Sequence, residues 1–214
     1  MVGLVFAPLA DFSYLRKHQP NMQNVKQKEL TDLSLEELWQ LFPIILTPHQ
    51  DCWSDWYEEE AGMLQREISG IRRISHIGST AIQGIWAKPT VDMLVEVDKE
   101  KPLADFKDKI EKRGYIYMAE RGNRLDFNKG YTLQGFAERV FHLHLRYIGD
   151  NDELYFRDYI QKDATAAKEY ERLKLDLWKR YEHDRDAYTL HKSDFIKHYT
   201  EMGKQLFPDK YKET

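Results

Sequence analysis

Residues 72–97 read RRISHIGSTAIQGIWAKPTVDMLVEV. Arg72 to Ile77 has the character of a strand, and His76-Ile77-Gly78-Ser79-Thr80 closes it in a turn. Lys88-Pro89 opens a second strand, Thr90 to Val97, which alternates strictly. Val91, Met93, Val95 and Val97 share one face, and Thr90, Asp92, Leu94 and Glu96 share the other. Successive strand side chains point to opposite faces, so the first set enters a core and the second carries Asp92 on the opposite side.

Working outward, the upstream segment from about Gln50 to Ser69 predicts a helix. Trp53, Trp56, Ala61, Leu64 and Ile68 recur at three- to four-residue spacing, with Glu58, Glu59 and Glu60 on the solvated side. Pro43 and Pro48 bracket the apolar run Ile44-Ile45-Leu46, an extended or edge segment. Ser34 with Glu37 three residues on is a capping box ahead of a short helix to Phe42. Downstream, a helix over about Pro102 to Arg113 stops at Gly114. Strands follow at Tyr115 to Ala119, Arg124 to Phe127 and Arg139 to Ile148. In the last, Phe141, Leu143 and Leu145 oppose His142, His144 and Arg146. Three helices complete the chain: Glu153 to Lys162, Ala164 to about Glu182, and Asp186 to Lys204. The fold class is α+β: a small mixed sheet packed against helices, with a helical C-terminal third. Residues 34–214 read as one domain, and residues 1–33 as a loosely attached extension.

Composition narrows the function. Of 214 residues, 42% are hydrophobic, too many for a disordered chain. Cys52 is the single cysteine, which excludes an intramolecular disulfide and favours a reducing compartment. Lys plus Arg number 32 against 36 Asp plus Glu, so the net charge of -4 gives no general footprint for nucleic acid. No uncharged apolar run has the ~20 residues of a membrane span. A cytoplasmic protein with neither membrane nor nucleic-acid partners is the expectation. CxxC, HExxH, GxSxG and Walker patterns do not occur, which argues against zinc modules, zincins, α/β-hydrolases and P-loop kinases.

Three constellations could carry chemistry. The Gly78-Ser79-Thr80 turn exposes backbone N–H groups, and a helix opening after it would favour a phosphate. Asp92 on the next strand could hold a divalent cation against that phosphate, as phosphoryl and nucleotidyl transfer require. The bland alternative is a tight turn beside a strand with one polar residue. His142 and His144, two residues apart, project from one strand face and could join Asp92 as metal ligands, with Glu96 a weaker candidate. Equally, they could be ordinary hydrogen-bonded histidines; Asp126 is a further carboxylate. Finally, Tyr170, Lys174, Leu177 and Tyr181 form a helical stripe, and Tyr188, Lys192, Phe195 and Tyr199 repeat its spacing. Each lysine either snorkels to water or reaches a cavity where an anion serves as partner. Lys88 stands where it could join them, unless it is plain surface lysine. His76 and Cys52 read as a strand-end residue and a packed thiol.

The string His76-Ile77-Gly78-Ser79-Thr80-Ala81-Ile82-Gln83-Gly84-Ile85-Trp86-Ala87-Lys88-Pro89-Thr90-Val91-Asp92-Met93-Leu94-Val95 closely resembles the signature of the GrpB family. His142-Leu143-His144-Leu145, Phe156-Arg157-Asp158-Tyr159 and Tyr188-Thr189-Leu190-His191-Lys192 extend the likeness, which runs from about Pro43 to Gly203. The resemblance implies a fold like that of the polymerase-β-type nucleotidyltransferases. There a Gly-Ser turn cradles nucleotide phosphates, matched by Gly78 and Ser79. A strand carboxylate pair holds magnesium; Asp92 matches the first, and Leu94 stands in place of the second. A later strand usually adds a third carboxylate, and here it presents His142 and His144, which suit a transition metal better. The implied function is nucleotidyl transfer from a nucleotide to a small-molecule acceptor with Mg²⁺, Mn²⁺ or Zn²⁺. In it Asp92 and Ser79 would be catalytic, and Gly78, Thr80, Lys88, Lys174, Tyr188 and Lys192 would bind phosphate or substrate. The alternative is a nucleotide-binding adaptor without catalysis. A similar domain fused to dephospho-CoA kinase in some bacteria links that reading to coenzyme A metabolism.

Overall fold

A computed structural model of the chain describes residues 30–211. The expected N-terminal extension lies, up to residue 29, outside the described residues. The Ser34 capping box forms as read: Glu37 N donates to Ser34 Oγ (3.2 Å) and Ser34 N to Glu37 Oε2 (2.8 Å), starting helix α1 (Leu35–Leu41). The extended segment after it bridges Thr47 to Ala87, so it braces the loop between the two signature strands. Helix α2 (Cys52–Glu67) ends at Ile68, and Gly70, at φ 98°, turns the chain into β1 (Ile71–Ile77). After β1 come a single 3-10 turn (Ser79–Ala81), β2 (Val91–Val97), α3 (Ala104–Glu111), β3 (Ile116–Glu120), β4 (Arg124–Thr132) and β5 (Gly135–Tyr147). The last stretch is helical: α4 (Asp152–Lys162), α5 (Ala164–Tyr181), α6 (Arg185–Leu190) and α7 (Ser193–Leu206).

The five strands form one mixed sheet in the order β1-β2-β5-β4-β3. Only β2 and β5 run parallel; the other pairs are antiparallel. The alternating apolar set on β2 packs as expected. Val91, Met93, Val95 and Val97 are fully buried with Trp53 and Leu64 of α2, Phe106 and Ile110 of α3, and Phe141, Leu143 and Leu145 of β5. Burying a Leu- or Phe-sized side chain is worth about 1.5–3 kcal/mol, so this layer secures the sheet. The opposite face differs from a plain solvated surface. Asp92 pairs with His142 and then Asn128; Leu94 with His144 and then Asp126; Glu96 with Arg146 and then Arg124. Polar residues thus fill these rows across β2, β5 and β4 except at Leu94.

Two expectations change. The last helix is not continuous: α6 and α7 are separated at His191-Lys192, because the chain turns after Leu190 and α7 starts again at Ser193. The stripe through Tyr188, Lys192, Phe195 and Tyr199 is therefore split between two axes. Strand β4 runs five residues beyond Phe127, with its register shifted between Lys129 and Tyr131. Gly130, at φ 90°, makes that bulge; a Cβ there would come 2.3 Å from the Arg139 carbonyl oxygen. The extra residue flips Tyr131 from the face of Phe127 to that of Asp92.

Candidate functional site

Asp92 is the hub of the polar face. Its Oδ1 accepts from His142 Nδ1 at 2.9 Å and lies 3.8 Å from His144 Nε2. His144 Nδ1 donates to Asp126 Oδ1 at 2.8 Å, and Arg146 Nη2 donates to the same oxygen at 2.7 Å. Beyond His142, the Tyr131 hydroxyl bonds Nε2 at 2.9 Å and Arg185 Nη2 approaches it at 3.4 Å. Solvent still reaches the group: the side chains of Asp92, His142 and His144 are 25%, 12% and 27% exposed. The three side chains meet on one face of the sheet, each partly open to solvent.

The two histidines are electrostatically unlike. Burial is the largest influence on His142 and lowers its pKa to about 4, outweighing the bond to Asp92; Arg185 and Lys88 push the same way. His142 is therefore neutral, with its proton on Nδ1 toward Asp92 and Nε2 accepting from Tyr131. Burial also opposes charge on His144. Its hydrogen bonds to Asp126 and Asp92 prevail and raise its pKa to about 9, so it is an imidazolium between two carboxylates. Burial works against ionised Asp92, yet the bonds and charge of both histidines hold its carboxyl well below the usual range. His144 and Arg146 hold Asp126 low against the same desolvation.

Around Asp92 the charge is mainly positive. Burial lowers Lys88 to about 7, with Arg185 adding to the effect and Asp92 opposing it. Burial lowers Lys174 to about 7 and Lys192 to about 8. Lys174 is 1% exposed, so it does not snorkel; its ammonium donates to the Trp86 carbonyl oxygen and sits 4.7 Å from the Tyr170 ring centre. Lys192 lies over the Tyr188 ring at 4.2 Å and Lys88 over Phe136 at 4.9 Å. Among the described residues none of these three lysines forms an ion pair with a carboxylate. Lys174 is buried and Lys88 and Lys192 half-buried, and an anionic ligand would offset the cost of enclosing their charge.

The remaining expected residues fall as follows. Gly78 is required where it stands: at φ 70°, a Cβ would come 2.3 Å from Asp92 Oδ2. Ser79 follows it and is within hydrogen-bonding reach of Tyr170. A single 3-10 turn opens there rather than an α-helix, so no helix terminus adds its dipole. Thr80 is 2% exposed and its hydroxyl bonds the Thr90 carbonyl, so it pins the turn to β2. Tyr188 is buried beside Leu177 and lends its ring face to Lys192. Glu96 stands apart. Fully buried, it accepts from Arg73 at 2.5 Å, Asn151 at 3.0 Å and Gly149 N at 3.3 Å, a structural ion pair under the sheet. Leu94 is fully buried against Ile77 and Leu154. Sequence reasoning missed Tyr131 and Arg185. The first needs the Gly130 bulge to face the site, and the second arrives from a helix distant in sequence.

The donor set does not fit a Mg²⁺, Mn²⁺ or Zn²⁺ centre as arranged. Both ring nitrogens of His142 are engaged, and His144 Nδ1 is bonded to Asp126. Glu96 is committed elsewhere. Among the described residues no group of three His, Cys, Asp or Glu is placed to hold a metal ion.

These features define a mixed α+β protein with lysines and an arginine gathered near one strand carboxylate. The chain belongs to the GrpB family, whose profile, described as GrpB protein, matches residues 43–202. It is 32% identical over 160 residues to the glutamate-rich protein GrpB of Alkalihalophilus pseudofirmus, covering 72% of this chain and 91% of that one. It is 29% identical over 187 residues to UPF0157 protein YqkA of Bacillus subtilis, covering 86% of this chain and 54% of YqkA. The crystal structure of conserved protein GrpB from Enterococcus faecalis superposes with a TM-score of 0.67 at 28% identity, over 76% of this chain and 99% of that one. A slighter likeness, TM-score 0.44 at 12% identity over 68% of this chain and 45% of the other, is to the Cid1 poly(U) polymerase bound to MgGTP. At that distance it carries no argument about activity. No helix among the described residues is long and apolar enough to cross a membrane.

Proposed function

We propose that the face around Asp92 binds a phosphorylated small molecule, a nucleotide, and transfers its nucleotidyl group to the hydroxyl of a small-molecule acceptor. The observation that carries this reading is the gathering of Lys88, Lys192 and Arg185 around Asp92, with Lys174 buried behind them. Such a site favours a ligand with several negative charges, since each ammonium gains a counterion it lacks. The Gly78-Ser79 turn, close against Asp92, is where phosphate oxygens would approach the backbone.

In the transfer, the acceptor oxygen forms a bond to the α-phosphorus while the α–β anhydride bond breaks and pyrophosphate leaves. The acceptor proton passes to Tyr131, which hands its own to neutral His142, held in position by Asp92. Lys88, Lys192 and Arg185 neutralise charge gathering on the leaving pyrophosphate. Pyrophosphate release, measured on nucleoside triphosphates with a panel of hydroxyl acceptors, tests the proposal. Turnover should be present in the native chain and lost in Asp92→Asn; equal release by both would sink it.

A second reading is favoured by Leu94, which removes the second strand carboxylate of the implied catalytic pair. It is a nucleotide-binding adaptor without catalysis, with coenzyme A among the ligands to try. Calorimetric binding of a nucleotide or coenzyme A, with no pyrophosphate over any acceptor, is the outcome that selects it.

A further inference from the structure

We propose that this site neutralises its phosphorylated ligand with lysine and arginine charge alone, and takes the ligand as the metal-free polyanion. The inference rests on the phosphate reading above and deepens it. Three independent observations lead there.

First, the places where metal-binding carboxylates would stand are closed. Leu94 is sealed between Ile77 and Leu154, and Glu96 is saturated by Arg73, Asn151 and Gly149. Second, the histidines point their chemistry elsewhere. His142 is clamped between Asp92 and Tyr131, and His144 is drawn to Asp126 at 2.8 Å. Each ring is thus already held by a carboxylate or hydroxyl partner. Third, the positions a divalent ion would use to face phosphate are already cationic. Arg185 reaches both His142 Nε2 (3.4 Å) and Tyr131 (3.5 Å), across the ring from the Asp92–His142 bond. Lys88 and Lys192 feel both Asp92 and Arg185 from the flanking loop and helix. Asp92 is thus already enclosed by cations, and a further double charge beside it would meet repulsion from each.

The roles follow from position. Arg185 carries a fork of donors suited to two oxygens of one phosphate. Lys88 and Lys192 are point charges resting on the aromatic faces of Phe136 and Tyr188, each on a flexible stem that can turn toward a ligand. Lys174 is too enclosed to touch the ligand and acts through its field.

Isothermal titration of the full chain tests this. ATP and inorganic tripolyphosphate are titrated in EDTA, then in excess magnesium, manganese or zinc. Both probes should bind in EDTA. Excess magnesium, which cancels part of the triphosphate charge, should weaken binding by about tenfold. Arg185→Gln and Lys192→Gln should each lose affinity in EDTA while their unfolding transitions stay cooperative. Binding that appears only when a metal is present overturns the inference and leaves the phosphate reading intact. Manganese titrated alone is a second check: a stoichiometric site abolished in Asp92→Asn also overturns it. Failure of both probes to bind under every condition sinks the phosphate reading and this inference together.

Discussion

Asp92 keeps its charge in a crowded place because His142 and His144 both bond it, outweighing its desolvation. Read in sequence it resembles an exposed strand residue whose loss the fold would hardly notice. In the structure it is three-quarters buried, so truncation strands the His144 imidazolium and the flanking cations. Asp92→Ala should therefore cost about 2–4 kcal/mol, in the range for breaking a buried pair. Lys174 behaves in the opposite sense. Replacing a buried cation by an apolar side chain of similar shape is often neutral or stabilising. Lys174→Met should raise stability by about 1 kcal/mol, read from urea denaturation, and weaken nucleotide binding by about tenfold. Lost stability together with unchanged affinity would show that Lys174 is only a packing residue.

At the scale of elements, the bulge in β4 matters more than any helix. Strand periodicity places Tyr131 with Phe127 and Lys129, away from the site; Gly130 reverses it. Gly130→Ala forces a side chain into a left-handed backbone conformation and against the Arg139 carbonyl. The cost should be on the order of 2–4 kcal/mol, and Tyr131 should swing out of reach of His142. Histidine ring NMR in the variant checks the second part: the His142 resonances should move while those of His198, on α7, stay fixed. The broken last helix has a comparable effect. Arg185, Tyr188 and Lys192 stand at i, i+3 and i+7, one side of α6, and the turn at His191-Lys192 then sends Phe195 and Tyr199 to pack against Phe156 and Tyr170. Periodicity could not announce that break, since it has no proline or glycine to mark it.

For the whole molecule, the titrating groups of the site set a pH profile. Lys88 and Lys174 have folded pKa values of about 7 and Lys192 about 8, all below the unfolded value of 10.5. Between those limits the unfolded chain binds more protons, so stability rises with pH. His144 opposes this: its pKa of about 9 lies above 6.5, so its contribution is full below 6.5 and fades as pH rises through 9. Three groups outweigh one. Calorimetric melting of the ligand-free chain should shift upward from about pH 7.5 to 9.5, against the usual maximum near neutrality. A falling melting temperature across that window would mean that the lysines are solvated. Ligand affinity should run the other way, declining as the lysines lose their protons.

Much of this was legible along the chain. Alternation in Thr90 to Val97 and Arg139 to Ile148 located the central strands and assigned their faces, because strand geometry converts residue parity directly into side. The glycine-serine turn and Asp92 were legible for the same local reason. Register and crossing decided the rest. Asp126 meets His144 and Glu96 leaves the site for Arg73 only when strands pair, and Arg185 meets His142 only when the C-terminal helices close over the sheet. Local pattern carries the direction of a side chain. Charge state and partnership depend on neighbours from distant segments, and those come together only by folding.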